Sequence, residues 1–303
     1  HFIVEAIRNI HTKEAEIVNA AYLFISGDKG ARTINNANEI AHYEYGANLS
    51  STSMLKAMNA VALNVKESDL GSLLNADGQT NNVVTIAATG TRFEKANLYP
   101  TSKQVSLGDT LSLTTGYKGG LSSRAGFVVE NAEQLPDNQH DYLEKVAIPY
   151  FKTLVYWLEN IRIGIAGGEF YKMIENVYPK DEYHWHLNPG HLIADEEWMS
   201  SPIYPNSKET LKSGMLLQTD IIPSVTGYAG VSAEECIALA DDELRSQIKN
   251  EYPDLWKRIE ARRNYIQNEL GIRLPEHVLP LSNLVAYLRP FFLNKSAVLI
   301  CIK

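Results

Sequence analysis

Two cysteines in 303 residues are too few for a disulfide framework. Cys236 and Cys301 stand in no CxxC or other metal-ligand spacing and are read as reduced, buried thiols. No apolar run approaches the ~20 residues that span a bilayer. The opening HFIVEAIRNIHTKEAEI lacks the charged-then-apolar order of a signal peptide, so a cytoplasmic chain is expected. Basic clusters are missing as well: 28 Lys and Arg are scattered through a chain of net charge −8. That distribution gives no footprint for nucleic acid or an anionic membrane, and leaves a small molecule or peptide as the expected ligand. GxSxG, HExxH, GxGxxG and P-loop patterns are all absent, so none of those chemistries is signalled. One gap is local: no Asp or Glu lies between Asp109 and Glu130.

What is present suffices for a substantial core, since 45% of the residues are hydrophobic. Thr12, with Glu14 and Glu16 after it, predicts a helix through TKEAEIVNAAYLFIS that packs on the main sheet, although Ala15 holds the place of a capping-box acid. A second helix is predicted from Thr52, with Leu55, Met58 and Ala62 on one face. NNVVTIAATG has the β-branched density of a strand, and DTLSLTTG and LSSRAGFVVE, joined by YKGG, read as a hairpin. Helical spacing follows in Phe151, Leu154, Val155, Leu158 and Ile161; AGG interrupts it, and Pro179 ends the next run. GMLLQTDIIPSV and EECIALAD are predicted strands, residues 242–270 charged helices stopped at Gly271, and SAVLICI a last strand. Each half is a helical block followed by strands. One α+β unit over 1–303 is expected, in halves 1–140 and 141–303.

In this order, VSLGDTLSLTTG, IRIGIAGGEFYKMI, NPGHLI, LKSGMLLQTDIIP and SAEECIALAD resemble successive segments of the pita-bread metallopeptidases: methionine aminopeptidase, aminopeptidase P, prolidase and creatinase. The resemblance implies a curved antiparallel sheet with helices on its outer face, pseudo-twofold halves and a ligand cleft on the concave side. The separate N-terminal domain of the larger members is not expected within this chain, and a homodimer is possible. Such enzymes use two divalent cations held by carboxylates and one imidazole. By resemblance the imidazole falls on His191 and the two late carboxylates on Asp220 and Glu234. The two early aspartates fall on Thr114 and on Ala125, or one register step away on Arg124. Active members keep another histidine seven residues after the ligand, where this chain has Trp198.

Two cations facing one imidazole and two acids would leave uncompensated charge, so at most one metal is expected, at His191, Asp220 and Glu234, and the first reading has none. In it His191, Asp220 and Glu234 act as catalytic groups on a small peptide or small zwitterionic substrate, Arg124 binds a carboxylate or pairs with Asp220 or Glu234, and Thr114 and Trp198 line the site. The alternatives are a mononuclear metal peptidase and a non-catalytic peptide- or protein-binding descendant. Glu234 and Glu235 must point to opposite faces if their segment is a strand. His184 and His186 are read as packing residues.

Overall fold

A computed structural model describes residues 2–12, 14–76 and 78–302. In chain order the elements are α1 (Phe2–Ile10), α2 (Ala21–Phe24), α3 (Ala37–Ala60), α4 (Glu67–Leu73), β1 (Ile86–Thr89), α5 (Thr91–Glu94), β2 (Thr110–Tyr117) and β3 (Gly120–Phe127). A π-helical turn at Leu143–Ala147 leads into α6 (Ile148–Asn160), followed by α7 (Gly167–Val177), α8 (Lys180–Tyr183), β4 (His191–Leu192) and β5 (Leu216–Gln218). The chain continues through β6 (Ser232–Glu234), β7 (Cys236–Leu239), α9 (Asp242–Glu251), α10 (Pro253–Asn268) and β8 (Val278–Pro280). Two antiparallel four-stranded sheets result, ordered β1-β2-β3-β6 and β4-β5-β7-β8. The segment 232–239 belongs to both, changing sheet at Glu235, and this shared strand bends the pair around one concave face.

Register sets what that face carries. Ile86, Thr114, Ser123 and Glu234 align across β1, β2, β3 and β6, and the next row with the same facing is Ala88, Ser112, Ala125 and Ser232. The other face of the hairpin is covered by α3, which approaches closely because YKGG gives it room. Gly119 sits at φ +97°, and a Cβ on Gly120 would lie 2.3 Å from the Ala47 Cα. Helix α3 begins at an Asn36 cap whose box partner is Glu39, 15 residues before the predicted start. Its buried Glu44 is met by Arg258 and Arg262 of α10, at 2.6 and 2.7 Å.

Two predicted elements do not form. Past Thr12 the described residues 14–20 are irregular, and only the four-residue α2 remains of the expected helix. Ile17 and Val18 are exposed there, so the run has no surface on which to bury an apolar face, and an isolated helix of that length is unstable. SAVLICI is not a strand: Leu299 and Cys301 donate singly to the carbonyls of Leu288 and Leu270, and the last strand is β8. No helix among the described residues is long and apolar enough to cross a membrane.

Candidate functional site

His191 opens β4 directly after Gly190, whose φ of +111° and position against the Gln218 carbonyl and the Trp157 ring leave no space for a side chain. This turn aims the imidazole into the concave face. Its Nδ1 faces the Leu192 carbonyl at 3.2 Å, an acceptor only, so Nδ1 donates there and Nε2 is the nitrogen turned to the cleft. Nε2 is buried and has no hydrogen-bond partner among the described residues. Three carboxylates ring it instead: Glu234 Oε1 at 3.6 Å, Glu197 Oε1 at 3.7 Å and Asp220 Oδ2 at 3.8 Å. One ligand atom from each of His191, Asp220 and Glu234 lies within 4.8 Å of the others.

Burial dominates the electrostatics. It pushes the Asp220 carboxyl well above its usual range, with repulsion from Glu234 adding to the shift. Glu234 is pushed up to about 8, first by burial and then by Glu197, against the opposing hydrogen bond from Gln218. Glu197, half-buried at the mouth, is also raised by burial. A separation of 3.6–3.8 Å is too long for hydrogen bonds to Nε2. It is close to the spacing of donors that share one ion, since ligand distances of ~2.0–2.2 Å put neighbouring donor atoms roughly 3–3.6 Å apart. The orphaned imidazole nitrogen and the surrounding acids therefore fit a single cation. They do not fit two, because the floor beside them carries Thr114 bonded to Ser123 (2.9 Å) and Ala125 where further carboxylates would be needed.

Of the residues singled out from sequence, His191, Asp220 and Glu234 come together; Thr114 and Trp198 line the same cleft, with the indole 5.6 Å from the imidazole. Arg124 does not. It lies on the opposite face of β3, 1% exposed, with Nη2 2.8 Å from Glu235 and further bonds to the carbonyls of Ser123, Glu234, Leu284 and Tyr287. The pairing with Asp220 or Glu234 is thus replaced by one with Glu235, because a one-residue register step turns a strand side chain to the other face. Glu234 and Glu235 do point to opposite faces. Glu197 was missed; its only signal was its place beside Trp198.

No protein-family model matches the sequence, and no curated protein matches it. Among solved structures, the chain is similar to an Xaa-Pro dipeptidase from Bacillus anthracis, with 19% identity, TM-score 0.58, and coverage of 70% of this chain and 60% of that one. It is similar to a prolidase from Pyrococcus furiosus, at 17% identity, TM-score 0.57, and 69% and 63% coverage. A putative aminopeptidase P from Bacillus anthracis gives 13% identity, TM-score 0.57, and 80% and 59% coverage. The chain thus spans about three-fifths of the length of these structures. Its fold is the pita-bread fold of the prolidases and aminopeptidases P.

Proposed function

We propose that the chain hydrolyses amide bonds in small peptides or peptide-like molecules with one divalent cation, held by His191, Asp220 and Glu234 with Glu197 beside it. The observation that carries this reading is the buried, unpartnered Nε2 of His191 at 3.6–3.8 Å from three carboxylates. When bound, such a cation supplies Lewis-acid polarisation of a carbonyl and lowers the pKa of water. The Nδ1–H bond to Leu192 fixes the imidazole plane, and Gln218 Nε2, 3.3 Å from Glu234 Oε1, fixes that carboxylate. Glu197 is the most exposed of the three acids, and burial raises its pKa above the usual carboxylate range, which strengthens it as a base. It takes a proton from the attacking water as the new C–O bond forms, and returns it to the departing amine as the C–N bond breaks. Trp198 closes the wall beside His191 and limits competing water.

Metal analysis after dialysis against manganese, cobalt or zinc tests the reading: one ion per chain is expected, lost in His191→Ala. Two ions per chain, or none, overturns it. A second reading, with no metal, rests on Glu234, pushed up to about 8, with its Oε1 3.6 Å from the unpartnered Nε2 of His191, an acid beside an imidazole. Cation-independent hydrolysis abolished by Glu234→Gln supports that reading instead. One bound ion with no turnover of any peptide supports a binding protein.

A further inference from the structure

Beside the cation cluster the cleft widens into a cavity of about 760 Å³. It is continuous with the cluster, because Thr114, Ser123, Ile222 and Glu234 line both spaces. Its floor is the two aligned rows described above, so Ser112, Thr114, Ser123 and Ser232 present hydroxyl groups side by side. Phe93, Leu98 and Tyr228 form apolar walls. The Oε1 of Gln139 is buried at one wall with no partner among the described residues. Every charged residue lining either space is an acid: Glu94, Glu197, Asp220 and Glu234. Among the described residues no lysine or arginine lines them, Arg124 being sealed behind the sheet.

We propose that this cavity takes an uncharged, hydrogen-bonding segment of a peptide, one whose carboxyl end is amidated or continues past the cavity, and turns away a free carboxylate adjacent to the bond at the cluster. A buried carboxylate needs a cation or several donors, and here it would meet acids and hydroxyls. A neutral amide finds what it needs: its N–H groups are taken by Gln139 Oε1 and hydroxyl oxygens, and its carbonyl by the Ser112 hydroxyl and by the one O–H that the Thr114–Ser123 bond leaves free, Ser232 already donating to the Ser123 carbonyl. Thr114, at one of the positions where a second cation's acids would be required, and Ser123, hydrogen-bonded to it, become determinants of specificity. The proposal rests on the cleft being the binding site, as above, and does not depend on the metal.

The test is binding of leucyl-alanine amide against leucyl-alanine, by calorimetry on the chelator-treated full chain and again with Mn²⁺. In the chelator-treated chain the amide should bind about tenfold tighter or more. Ser224→Arg and Asn138→Arg place a cation at exposed positions on the rim, where folding is not at risk, and should recover most of the acid's affinity. Equal or tighter binding of the acid by the unmodified, chelator-treated chain, or binding of neither ligand, overturns the proposal. Absence of Mn²⁺ binding with the amide preference intact overturns the single-cation reading and leaves this one standing.

Discussion

Glu235→Gln removes one charge from a place that solvent does not reach. Arg124 and Glu235 are 1% and 0% exposed, and their closest atoms are 2.8 Å apart. A guanidinium does not deprotonate, so in the variant a full positive charge stays among the carbonyls of Ser123, Glu234, Leu284 and Tyr287. Breaking a buried pair by removing one partner costs about 3–5 kcal/mol. Four carbonyl acceptors remain to solvate the cation, which places the expected loss near the lower end, ~3 kcal/mol. At roughly 2 °C per kcal/mol for a chain of this size, the midpoint falls by about 6 °C. The comparison is Glu196→Gln, which breaks a two-bond pair with Arg32 at 2.6 and 2.7 Å on the surface, where the carboxylate is 49% exposed. That change should cost only about 0.2–1 kcal/mol. Thermal and urea unfolding followed by circular dichroism measure both. The reasoning fails if Glu235→Gln lies within ~1 kcal/mol of Glu196→Gln. It fails equally if Glu235→Gln selectively weakens ligand binding with stability unchanged, since that would put Arg124 in the cleft.

In the cation-free chain, Glu234→Gln should raise the midpoint by ~2 °C, about 1 kcal/mol, because a neutral isostere relieves the burial and repulsion that push this acid up; the same variant should lose the rise that Mn²⁺ gives the unmodified chain, as seen by scanning calorimetry. Glu67 is fully buried and accepts from the amide N–H and hydroxyl groups of Thr89 and Thr101 and from Arg92. These bonds outweigh the burial that alone would raise it, and hold its pKa below the usual carboxylate range. Its stabilisation is therefore present above the unfolded value of ~4.5 and lost as pH falls through the lower folded value. Glu67→Gln should be about 1–3 kcal/mol less stable at pH 7, with the gap closing below pH ~4 in urea unfolding. Gly120→Ala, which sets a methyl 2.3 Å from the Ala47 Cα, should cost about 1–3 kcal/mol by forcing α3 off the hairpin, read from the urea midpoint.

Elements that carry their own signals were legible in the sequence. The β2–β3 hairpin was marked by two β-rich runs around YKGG, and α6 by apolar residues at helical spacing, because in both the local pattern agrees with the burial found. The start of α3 carried one local signal that was missed, the Asn36–Glu39 capping box, and no apolar periodicity to support it. Its first four turns carry Tyr43, Glu44, Tyr45 and Gly46, and what holds them is supplied from far away, by Arg258, Arg262 and the glycines of the hairpin. The helix expected after Thr12 shows the converse, a local signal with no distant surface to pack on. At the site, the three residues carried by the order of motifs did converge. Arg124 failed because an alignment position fixes a place along a strand to within a residue, whereas facing alternates with every residue. Glu197 had no signal of its own, since an acid in DEEWM reads as solvated loop until the fold sets it beside His191.

Charge balance ties the composition of the cleft to the single-cation reading. Two divalent cations need about four carboxylates for neutrality in a cleft of low polarity, and one needs about two. With Thr114 and Ala125 on the floor, the cleft offers Asp220 and Glu234, which would supply −2 against +2 once an ion displaced their protons. On the proposed reading, one ion would leave these acids balanced, whereas two ions would not. Thr114 and Ser123 then satisfy each other through their 2.9 Å hydrogen bond, so the floor carries no buried charge and the register of β2 on β3 is undisturbed. Glu197 is the acid in excess of that balance. It is the most exposed of the three acids around His191, so on the proposed reading it would exchange its proton with water without drawing on the charge of Asp220 and Glu234. On that reading a fixed cation in the cleft would compete with an ion for Asp220 and Glu234; the fold places Arg124 behind the sheet, against an acid of its own.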